Sequence, residues 1–336
     1  MTVPCCSSGD STIAIIVPVF DDEQSLRKLV GHIQNVVAMA GLAANLVIVD
    51  DGSPQPIDAQ SLRSVADLPL LVIRLRRNVG HQRAIAIGLS HVVAAELATS
   101  ILIMDADGED QPTDIPRLVS AVASAEKATV VVAKRASRSE GILFAVSYRL
   151  YRALFSLLTG NQIQFGNFSA MRIEAAKRLS AMPELWINLP AAVLRSRLVV
   201  FPVATDRGRR YFGQSKMRLV SLVLHGFGAI AVFTDRVLTR LTLAAVAAIA
   251  FAGAASLVAI AVKIIGLASP GWLTSVLGTS LVVTSMAFVL CLIGLLMTLT
   301  GGVLFLPQPI ASYHSFIATI VHSTREPRPS DIEARQ

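Results

Sequence analysis

Two long stretches without a charged residue fill most of the last third of this chain and limit what it can fold into. The first covers residues 241–262 and the second residues 264–306, with Lys263 between them. A helix of about 20 apolar residues crosses the hydrocarbon core of a bilayer. Because Pro270 and Gly271 interrupt the second stretch, we expect two membrane spans, the second ending near Thr298 and starting near Trp272 or Leu277.

The basic residues around these spans predict their orientation. Arg236 and Arg240 precede the first span, Lys263 alone lies between the two, and three further arginines follow the second span: Arg325, Arg328 and Arg335. Loops rich in Lys and Arg stay in the cytoplasm. We therefore predict an integral protein of the inner (cytoplasmic) membrane with both flanking parts in the cytoplasm, and the small residues of the spans permit a homo-oligomer.

Composition agrees with a membrane protein and excludes several other classes. Charged residues make up 16% of the chain, against about a quarter in soluble domains. The three cysteines show no metal-ligand spacing, and residues 1–10 lack the pattern of a cleaved signal peptide. The alternative for the spans is a buried helical hairpin in a soluble protein, which the absence of a polar face disfavours.

Two segments have the pattern of helices that lie in the membrane interface. Residues 216–237 and residues 144–158 both interleave charged with large apolar side chains. Such helices bury their apolar side at the headgroup level. The alternative for each is an ordinary amphipathic helix packed on a protein core.

Residues 12–135 alternate short β-rich runs with helical patterns. Strand and helix repeated in this order predict an α/β fold with a mostly parallel sheet. Ligands of such sheets bind beyond the carboxyl ends of the strands. Polar clusters follow the first four predicted strands, and the fourth is the acidic run from Asp105 to Asp110.

The acidic run predicts a divalent metal site. Asp105 and Asp107 are two residues apart in extended chain, so their carboxylates point the same way about 6–7 Å apart, and Glu109 offers a third oxygen donor. Mg²⁺ or Mn²⁺ suits such ligands and is commonly completed by substrate phosphates. No glycine-rich phosphate loop follows the first strand, which argues against a dinucleotide-dependent dehydrogenase and a P-loop protein.

Four motifs in order resemble those of family-two glycosyltransferases of GT-A fold. They are 17–20 (VPVF), 49–53 (VDDGS), 77–80 (RNVG) and 104–112 (MDADGEDQP). With 213–216 (GQSK) and two C-terminal spans, the chain resembles more narrowly the polyprenyl-phosphate glycosyltransferases, both the dolichol-phosphate mannosyltransferase and the bacteriophage-type branch. The resemblance covers nearly the whole chain.

The resemblance implies a role for each matching residue. It assigns the base and ribose of a nucleotide-sugar donor, the donor pocket and the metal to these residues: Pro18, Phe20, Glu23, Asp50 and Asp51 for the nucleotide, Arg77 and Asn78 for the pocket, and Asp105, Asp107 and Glu109 for the metal. The chain departs from the family where it has Gly108-Glu109 instead of Leu-Gln. It departs again at 167–171 (NFSAM), where the family has Asp-Phe-Arg-Leu-Met.

Basic residues near the predicted interface suggest an anionic lipid acceptor. Attraction to anionic lipid explains such residues in general, and a cradle for one lipid phosphate explains them specifically. Four are predicted to contact phosphate: Arg135, Arg149, Arg210 and Lys216. Ser215 joins Arg149 in the predicted acceptor site, and Asp107, Arg135, Arg210 and Lys216 make up the predicted catalytic set. His81 is interpreted as a helix cap or pocket-wall residue rather than a catalyst.

The predicted reaction is an inverting transfer of a sugar from a nucleotide sugar to polyprenyl (undecaprenyl or dolichyl) phosphate. A phosphate monoester has a second pKa of about 6, so the acceptor is already ionised and needs no general base.

The sequence predicts that the chain is divided into four parts. They are a cytoplasmic GT-A domain (1–215), a juxtamembrane helix (216–237), a two-helix membrane hairpin (238–306) and a cytoplasmic tail (307–336).

Four other functions compete with this interpretation. A processive polysaccharide synthase is disfavoured because no Gln-x-x-Arg-Trp segment is present and only two spans are predicted. A membrane-anchored transferase with another glycan or glycolipid acceptor, and a binding protein without turnover, stay open. Nucleic-acid binding rests only on the net charge of +7, and the basic residues flank a membrane segment without aromatic stacking residues.

Overall fold

The computed structural model describes residues 12–135, 142–213, 219–267, 269–304 and 313–323. These residues contain eight strands: β1 (Ile13–Val19), β2 (Ala44–Asp50), β3 (Leu70–Leu75), β4 (Ser100–Ile103), β5 (Thr129–Arg135), β6 (Ser169–Arg172), β7 (Val199–Thr205) and β8 (Ile317–Ser323). They also contain ten α-helices: α1 (Glu23–Met39), α2 (Ala59–Arg63), α3 (His81–Ala94), α4 (Ile115–Ser124), α5 (Ile142–Thr159), α6 (Ile173–Ser180), α7 (Leu189–Arg195), α8 (Leu219–Ala231), α9 (Thr234–Ile264) and α10 (Trp272–Leu304). Short 3₁₀ turns lie at Pro112–Asp114, Pro183–Trp186 and Tyr313–Phe316.

All eight strands join one sheet in the order β7-β5-β6-β4-β1-β2-β3-β8. Strands β1 to β5 and β7 run in the same direction, and β6 and β8 run against it. The predicted α/β class with a mostly parallel sheet is confirmed. Because six strands share a direction, the loops that follow them all leave the sheet at one edge, which we call the carboxyl edge.

Helices cover both faces of the sheet. Ala14 and Ile16 of β1 face a core cluster that includes α3, α6 and α7, while Ile13, Ile15 and Val17 face a second cluster that includes α1 and α4. Every residue of β1 is buried. Strands covered on both faces read as continuous apolar runs rather than as alternating patterns, which explains why the first strands are so uniformly aliphatic.

The C-terminal segment differs from its prediction. Residues 307–336 are expected to be a tail, but Ile317–Ser323 pairs antiparallel with β3 as the last strand of the sheet. Ile317 and Ile320 pack on the α3 side of the core. A single short strand after a membrane span has no local partner, so only the sheet edge provided by β3 satisfies its backbone.

The described chain divides into two compact units. The first contains the sheet and comes from Met1–Arg152, Asn161–Val232 and Ile310–Gln336; the second comes from Ala153–Gly160 and Phe233–Pro309. The predicted juxtamembrane helix over 216–237 is instead split, because α8 ends at Ala231 and α9 begins at Thr234. Residues 214–218, at the start of that prediction, lie outside the described residues.

Helices α9 and α10 form most of the second unit. Each is long and apolar enough to cross a membrane, and only 17% and 11% of their most apolar windows are buried. A core helix of a soluble protein would be mostly buried, so these helices are candidate membrane spans. They pack together through small side chains, since Ala245, Ala252 and Ala259 of α9 and Ala287 of α10 are buried.

Candidate functional site

The loops after β1, β2 and β3 are joined by hydrogen bonds at the carboxyl edge. The hydroxyl of Ser53 accepts a hydrogen bond from the backbone N–H of Asp21 (2.9 Å). The two oxygens of Asp51 accept hydrogen bonds from the N–H groups of Val79 (2.7 Å) and Gly80 (3.0 Å). Burial raises the pKa of Asp51, and these hydrogen bonds oppose that effect. Asp51 therefore holds the third loop against the second.

Gly52 allows this close contact between loops. Its φ is +71°, which favours glycine, and a Cβ there would lie 2.5 Å from the carbonyl carbon of Arg77. Arg77 and Asn78, both predicted to line the donor pocket, have exposed side chains on the third loop. The 49–53 and 77–80 motifs thus form one structural unit.

Asp50 is fully buried at the end of β2 and is only half satisfied by the protein. Its Oδ1 accepts a hydrogen bond from the N–H of Ser53 (2.9 Å). Its Oδ2 is buried and receives no hydrogen bond from the described residues. A buried carboxylate oxygen without a donor is costly, so this position fits a ligand that supplies one.

The remaining residues predicted to bind the nucleotide surround the end of β1. Pro18 is buried within the strand. Phe20 follows the strand and is 42% exposed. Glu23 begins α1, and its Oε1 accepts a hydrogen bond from the hydroxyl of Ser61 (3.0 Å). These residues share the carboxyl edge with Asp51, and their binding of a nucleotide stays a prediction.

Asp105–Asp110, which we call the acidic loop, follows β4. Oδ2 of Asp110 accepts a hydrogen bond from the N–H of Asp105 (3.0 Å), and Oδ1 of Asp107 accepts one from the N–H of Glu109 (2.9 Å). Gly108 has φ +88°, and a Cβ there would lie 2.7 Å from the ring of Tyr211. These local hydrogen bonds fix the fold of the acidic loop.

His81 contacts the acidic loop directly. Its Nε2 lies 3.0 Å from Oδ1 of Asp105 and 3.0 Å from Nδ2 of Asn167. Burial lowers the pKa of His81, but the charges of Asp105, Asp107 and Asp51 outweigh burial and raise it above its ordinary value. His81 is the first residue of α3, as predicted. Its contact with Asp105, however, places it within the site.

Asp206–Gly213, which we call the arginine loop, follows β7 and lies on the acidic loop. Nη2 of Arg207 donates to Oε2 of Glu109 (2.7 Å), and Nη2 of Arg210 donates to Oδ2 of Asp107 (2.6 Å). Burial raises the pKa of Asp107, with Asp105 and Glu109 acting in the same direction and Arg210 against it. The predicted catalytic residues Asp107 and Arg210 are therefore in direct contact.

The donor set of the acidic loop fits a divalent metal that is completed by a substrate. Among the described residues, no three His, Cys, Asp or Glu side chains form a metal-binding group. Mg²⁺ is commonly bound by one or two carboxylates together with substrate phosphates. Asp105 and Asp107 supply two carboxylates of this kind, while Glu109 pairs with Arg207. The three-ligand set stays a prediction.

Several predicted site residues cannot be assigned to the site from side-chain contacts. Ser215 and Lys216 lie outside the described residues. Arg135 ends β5, in register with Thr205 of β7, so its backbone reaches the carboxyl edge. Arg149 is exposed on α5.

Four side chains of the site are absent from the site residues predicted from the sequence. They are His81, Asp110, Asn167 and Tyr211. Gln82 connects this group to the fold, because its Nε2 donates to Oδ1 of Asn167 (3.0 Å) and its Oε1 accepts from the N–H of Leu189 (2.7 Å). Asp110 carried a signal in the sequence, since it belongs to the acidic run. The other three lie more than 20 residues from that run.

A comparison with protein families identifies the part of the chain that contains most of this site. Residues 14–180 match the model of Glycosyl transferase family 2. The match runs from β1 to the end of α6, so it includes the acidic loop, His81 and Asn167. The arginine loop lies beyond it.

Two curated relatives of this chain come from the bacteria Sodalis glossinidius and Klebsiella pneumoniae. The chain is 29% identical over 221 residues to the undecaprenyl-phosphate 4-deoxy-4-formamido-L-arabinose transferase of Sodalis glossinidius (strain morsitans), covering 63% of this chain and 64% of that protein. It is 29% identical over 224 residues to the protein of the same name from Klebsiella pneumoniae (strain 342), covering 63% and 65%. This chain thus spans less than two thirds of the length of these relatives.

Solved structures with a similar fold include two synthases of phosphoglycerate glycosides. Glucosyl-3-phosphoglycerate synthase from Mycobacterium tuberculosis, in complex with Mn²⁺, UDP-glucose and phosphoglyceric acid, has a TM-score of 0.48 at 19% identity, covering 68% of this chain and 80% of that one. Mannosyl-3-phosphoglycerate synthase from Rubrobacter xylanophilus has a TM-score of 0.47 at 15% identity, covering 67% and 73%.

Proposed function

Because residues 14–180 of this chain form a glycosyl transferase family 2 domain, we propose that the protein transfers a sugar from a nucleotide-sugar donor to a polyprenyl phosphate at the membrane surface. The observation that carries the proposal is the contact between Asp107 and Arg210 at the carboxyl edge. In the proposed enzyme Asp107 binds the metal and Arg210 binds the acceptor phosphate, so this contact would bring the two groups together. The names of the relatives from Sodalis and Klebsiella support undecaprenyl phosphate as the acceptor.

The donor nucleotide would bind at the ends of β1 and β2. Asp50 offers the buried Oδ2, which a ribose hydroxyl or a base N–H would satisfy. Asp105 and Asp107 would hold Mg²⁺ or Mn²⁺ against the diphosphate. When bound, this cation neutralises the charge that develops on the departing nucleoside diphosphate.

The acceptor phosphate is ionised at neutral pH and is itself the nucleophile. One of its oxygens forms a bond to the anomeric carbon while the bond from that carbon to the diphosphate breaks. A single displacement of this kind inverts the configuration. The protein's own contribution is to hold two anions in line and to neutralise them, and we assign Arg135, Arg149, Arg210, Ser215 and Lys216 to the acceptor phosphate.

The membrane arrangement of the proposed enzyme follows from the spans. We propose that α9 and α10 cross the inner membrane as a hairpin and that the sheet domain faces the cytoplasm, because basic residues flank the hairpin and Lys263, in the last turn of α9, is the one charged residue near its loop. The exposed side chains of Leu150 on α5 and Phe227 on α8 suit the headgroup region.

A lipid-extraction assay tests the proposal. Membranes with the wild type, Asp107→Asn or Asp67→Asn are incubated with radiolabelled UDP-, GDP- or dTDP-sugars, polyprenyl phosphate and Mn²⁺, and the lipid is extracted. Asp67 is exposed and lies before β3, so it controls for the same chemical change. We expect labelled lipid in the wild type and in D67N, and a loss of about 100-fold in D107N.

Other outcomes separate the alternatives. Equal labelling in D107N would remove Asp107 from the metal site. Label in a water-soluble glycan would favour another acceptor, and intact donor under all conditions would favour a binding protein without turnover. Retention of the donor's anomeric configuration in the lipid product would exclude a single displacement.

A further inference from the structure

The arginine loop is held against the acidic loop by its backbone as well as by its side chains. The N–H of Tyr211 donates to the carbonyl of Asp107 (2.9 Å), and the N–H of Gly208 donates to the carbonyl of Glu109 (2.9 Å). The Tyr211 hydroxyl lies 2.9 Å from Nδ1 of His32 on α1, and Lys28 lies over the Tyr211 ring. The backbone of the arginine loop is therefore held by contacts that do not involve the Arg210 guanidinium.

Both carboxylate oxygens of Asp107 are already engaged. Oδ1 accepts from the N–H of Glu109, and Oδ2 accepts from Arg210. Glu109 is held mainly by Arg207, whose Nε and Nη2 both donate to its Oε2 (3.2 and 2.7 Å), and Nε of Arg210 lies 4.0 Å from its Oε1. A carboxylate oxygen can accept more than one partner, but the guanidinium of Arg210 lies 2.6 Å from Oδ2 and its positive charge opposes a divalent cation there, so the two compete for this oxygen.

We propose that Arg210 is an exchangeable counter-ion of Asp107. A divalent cation displaces its guanidinium from Oδ2, and the displaced guanidinium binds the phosphate monoester of the acceptor. This inference rests on the proposed function, since it requires Asp107 to bind the cation. It adds that cation loading and acceptor binding are coupled through one side chain.

Charge and exposure favour this exchange. The Asp107 side chain is 18% exposed and that of Arg210 is 27% exposed, so the carboxylate needs a positive partner before and after the cation arrives. Arg210 reaches this position on a long side chain from a loop that meets solvent. A guanidinium released beside a bound cation is matched in geometry to phosphate oxygens.

Direct measurement of Mn²⁺ binding tests the exchange without turnover. The electron paramagnetic resonance signal of unbound Mn²⁺ is titrated with full-length protein in detergent, for the wild type, Arg210→Gln, Arg210→Lys and Asp107→Asn. Arg117→Gln is the matched control, because Arg117 pairs with Asp114 (3.2 Å) outside the site. We expect R210Q to bind Mn²⁺ about fivefold more tightly than the wild type in the absence of phosphate, with R210K in between and R117Q unchanged.

The second half of the test uses Mn²⁺-loaded protein and farnesyl phosphate, with inorganic phosphate as the comparison that lacks a lipid. We expect R210Q to bind farnesyl phosphate about tenfold more weakly than the wild type. A weaker affinity for inorganic phosphate as well would assign the contact to the phosphate group alone, and a loss confined to farnesyl phosphate would assign it to the lipid-borne headgroup.

The outcomes distinguish the exchange from the proposed function. If D107N loses Mn²⁺ binding while R210Q binds Mn²⁺ no more tightly than the wild type, the exchange is wrong and the metal site stands. If D107N binds Mn²⁺ like the wild type, the metal site and the exchange are both wrong. Tighter Mn²⁺ binding in R210Q with undiminished affinity for farnesyl phosphate would overturn the second step of the exchange.

Discussion

Neighbouring aspartates at the end of β2 have opposite relations to the protein around them. Asp50 keeps one buried oxygen without a hydrogen bond from the described residues, whereas Asp51 uses both oxygens to hold the third loop. A motif of two adjacent acids thus combines a carboxylate that we propose binds the donor with one that holds the structure. Only the structure separates the two roles.

Substitution with asparagine distinguishes them. We expect Asp51→Asn to lower the free energy of unfolding by about 1–3 kcal/mol, because its amide nitrogen faces a backbone N–H. We expect Asp50→Asn to keep its stability within about 1 kcal/mol and to weaken nucleotide-sugar binding by about 10- to 100-fold. Chemical unfolding and equilibrium dialysis measure these effects, with D67N as the control. A D50N protein that binds every donor normally would contradict the assignment.

His91 predicts a pH dependence of stability. It is 8% exposed on α3 and lies edge-on against Tyr313, and burial lowers its pKa, with the charges of His314 and His322 acting in the same direction. The side chain of His91 therefore binds a proton more readily in the unfolded chain than in the folded chain. The stabilising effect of neutral His91 is present above about pH 6.5 and is lost as the pH falls below that value.

Comparison with His91→Phe isolates this effect. His81 has a raised pKa and contributes in the opposite sense, with stability that is lost as the pH rises, but it is unchanged in the variant. We expect the melting temperature of the wild type to fall relative to that of H91F between pH 7.5 and pH 5.5. A constant difference across this range would show that His91 does not titrate between the two states.

Strand direction decides what meets at the carboxyl edge. Strands β4 and β7 are three places apart in the sheet but run in the same direction, so the acidic loop and the arginine loop leave the sheet on the same side. The antiparallel β6 separates β4 from β5 and sends its own following helix, α6, to the other edge. The antiparallel strand β6 lies between β4 and β5, but the loops that follow β4 and β7 still meet at the carboxyl edge.

The packing of α9 against α10 gives a prediction for the membrane helices. Ala252 is buried, while Ala254, two residues further along α9, is exposed. We expect Ala252→Leu to destabilise the protein by about 1–3 kcal/mol, because the added carbons must push the helices apart. Ala254→Leu should change stability by less than about 0.5 kcal/mol. Thermal unfolding in detergent measures both, and equal effects would place the helix contact elsewhere.

At the scale of the whole molecule, β8 returns the chain to the sheet after the second apolar helix. The chain leaves the sheet-containing unit after Val232 and rejoins it with Ile317–Ser323. Both ends of the helical hairpin are thus attached to one folded unit. If α9 crosses the membrane, α10 must cross it back, and the cytoplasmic location of both flanks stays a prediction from the basic residues.

Cysteine labelling tests this topology. In a background where Cys5, Cys6 and Cys291 are replaced by serine, single cysteines are introduced at Thr319 on β8, which is exposed, or at Ser269 in the loop between α9 and α10. In intact cells, a membrane-impermeant maleimide should label S269C and leave T319C unlabelled until the cells are opened. Labelling of both sites, or of neither, in intact cells would contradict a hairpin with cytoplasmic ends.

The sequence by itself determined the features that depend on neighbouring residues. Apolar stretches predicted two long helices, because the length needed to cross a bilayer is a local property. The alternation of β-rich runs with helical segments predicted the parallel sheet. The motifs after its strands predicted which residues share the carboxyl edge. The position of a residue at a strand end can be read from the strand alone.

Tertiary structure decided which of these residues touch each other. Asp107 and Arg210 are separated by 103 positions, and His81 lies far in sequence from both Asp105 and Asn167. The edge strand formed by Ile317–Ser323 likewise depends on a partner, β3, from the first quarter of the chain. Such pairings depend on the order of the strands in the sheet, which no local sequence pattern encodes. Many other residues have the same charge or hydrophobicity, so residue type alone does not identify the partner.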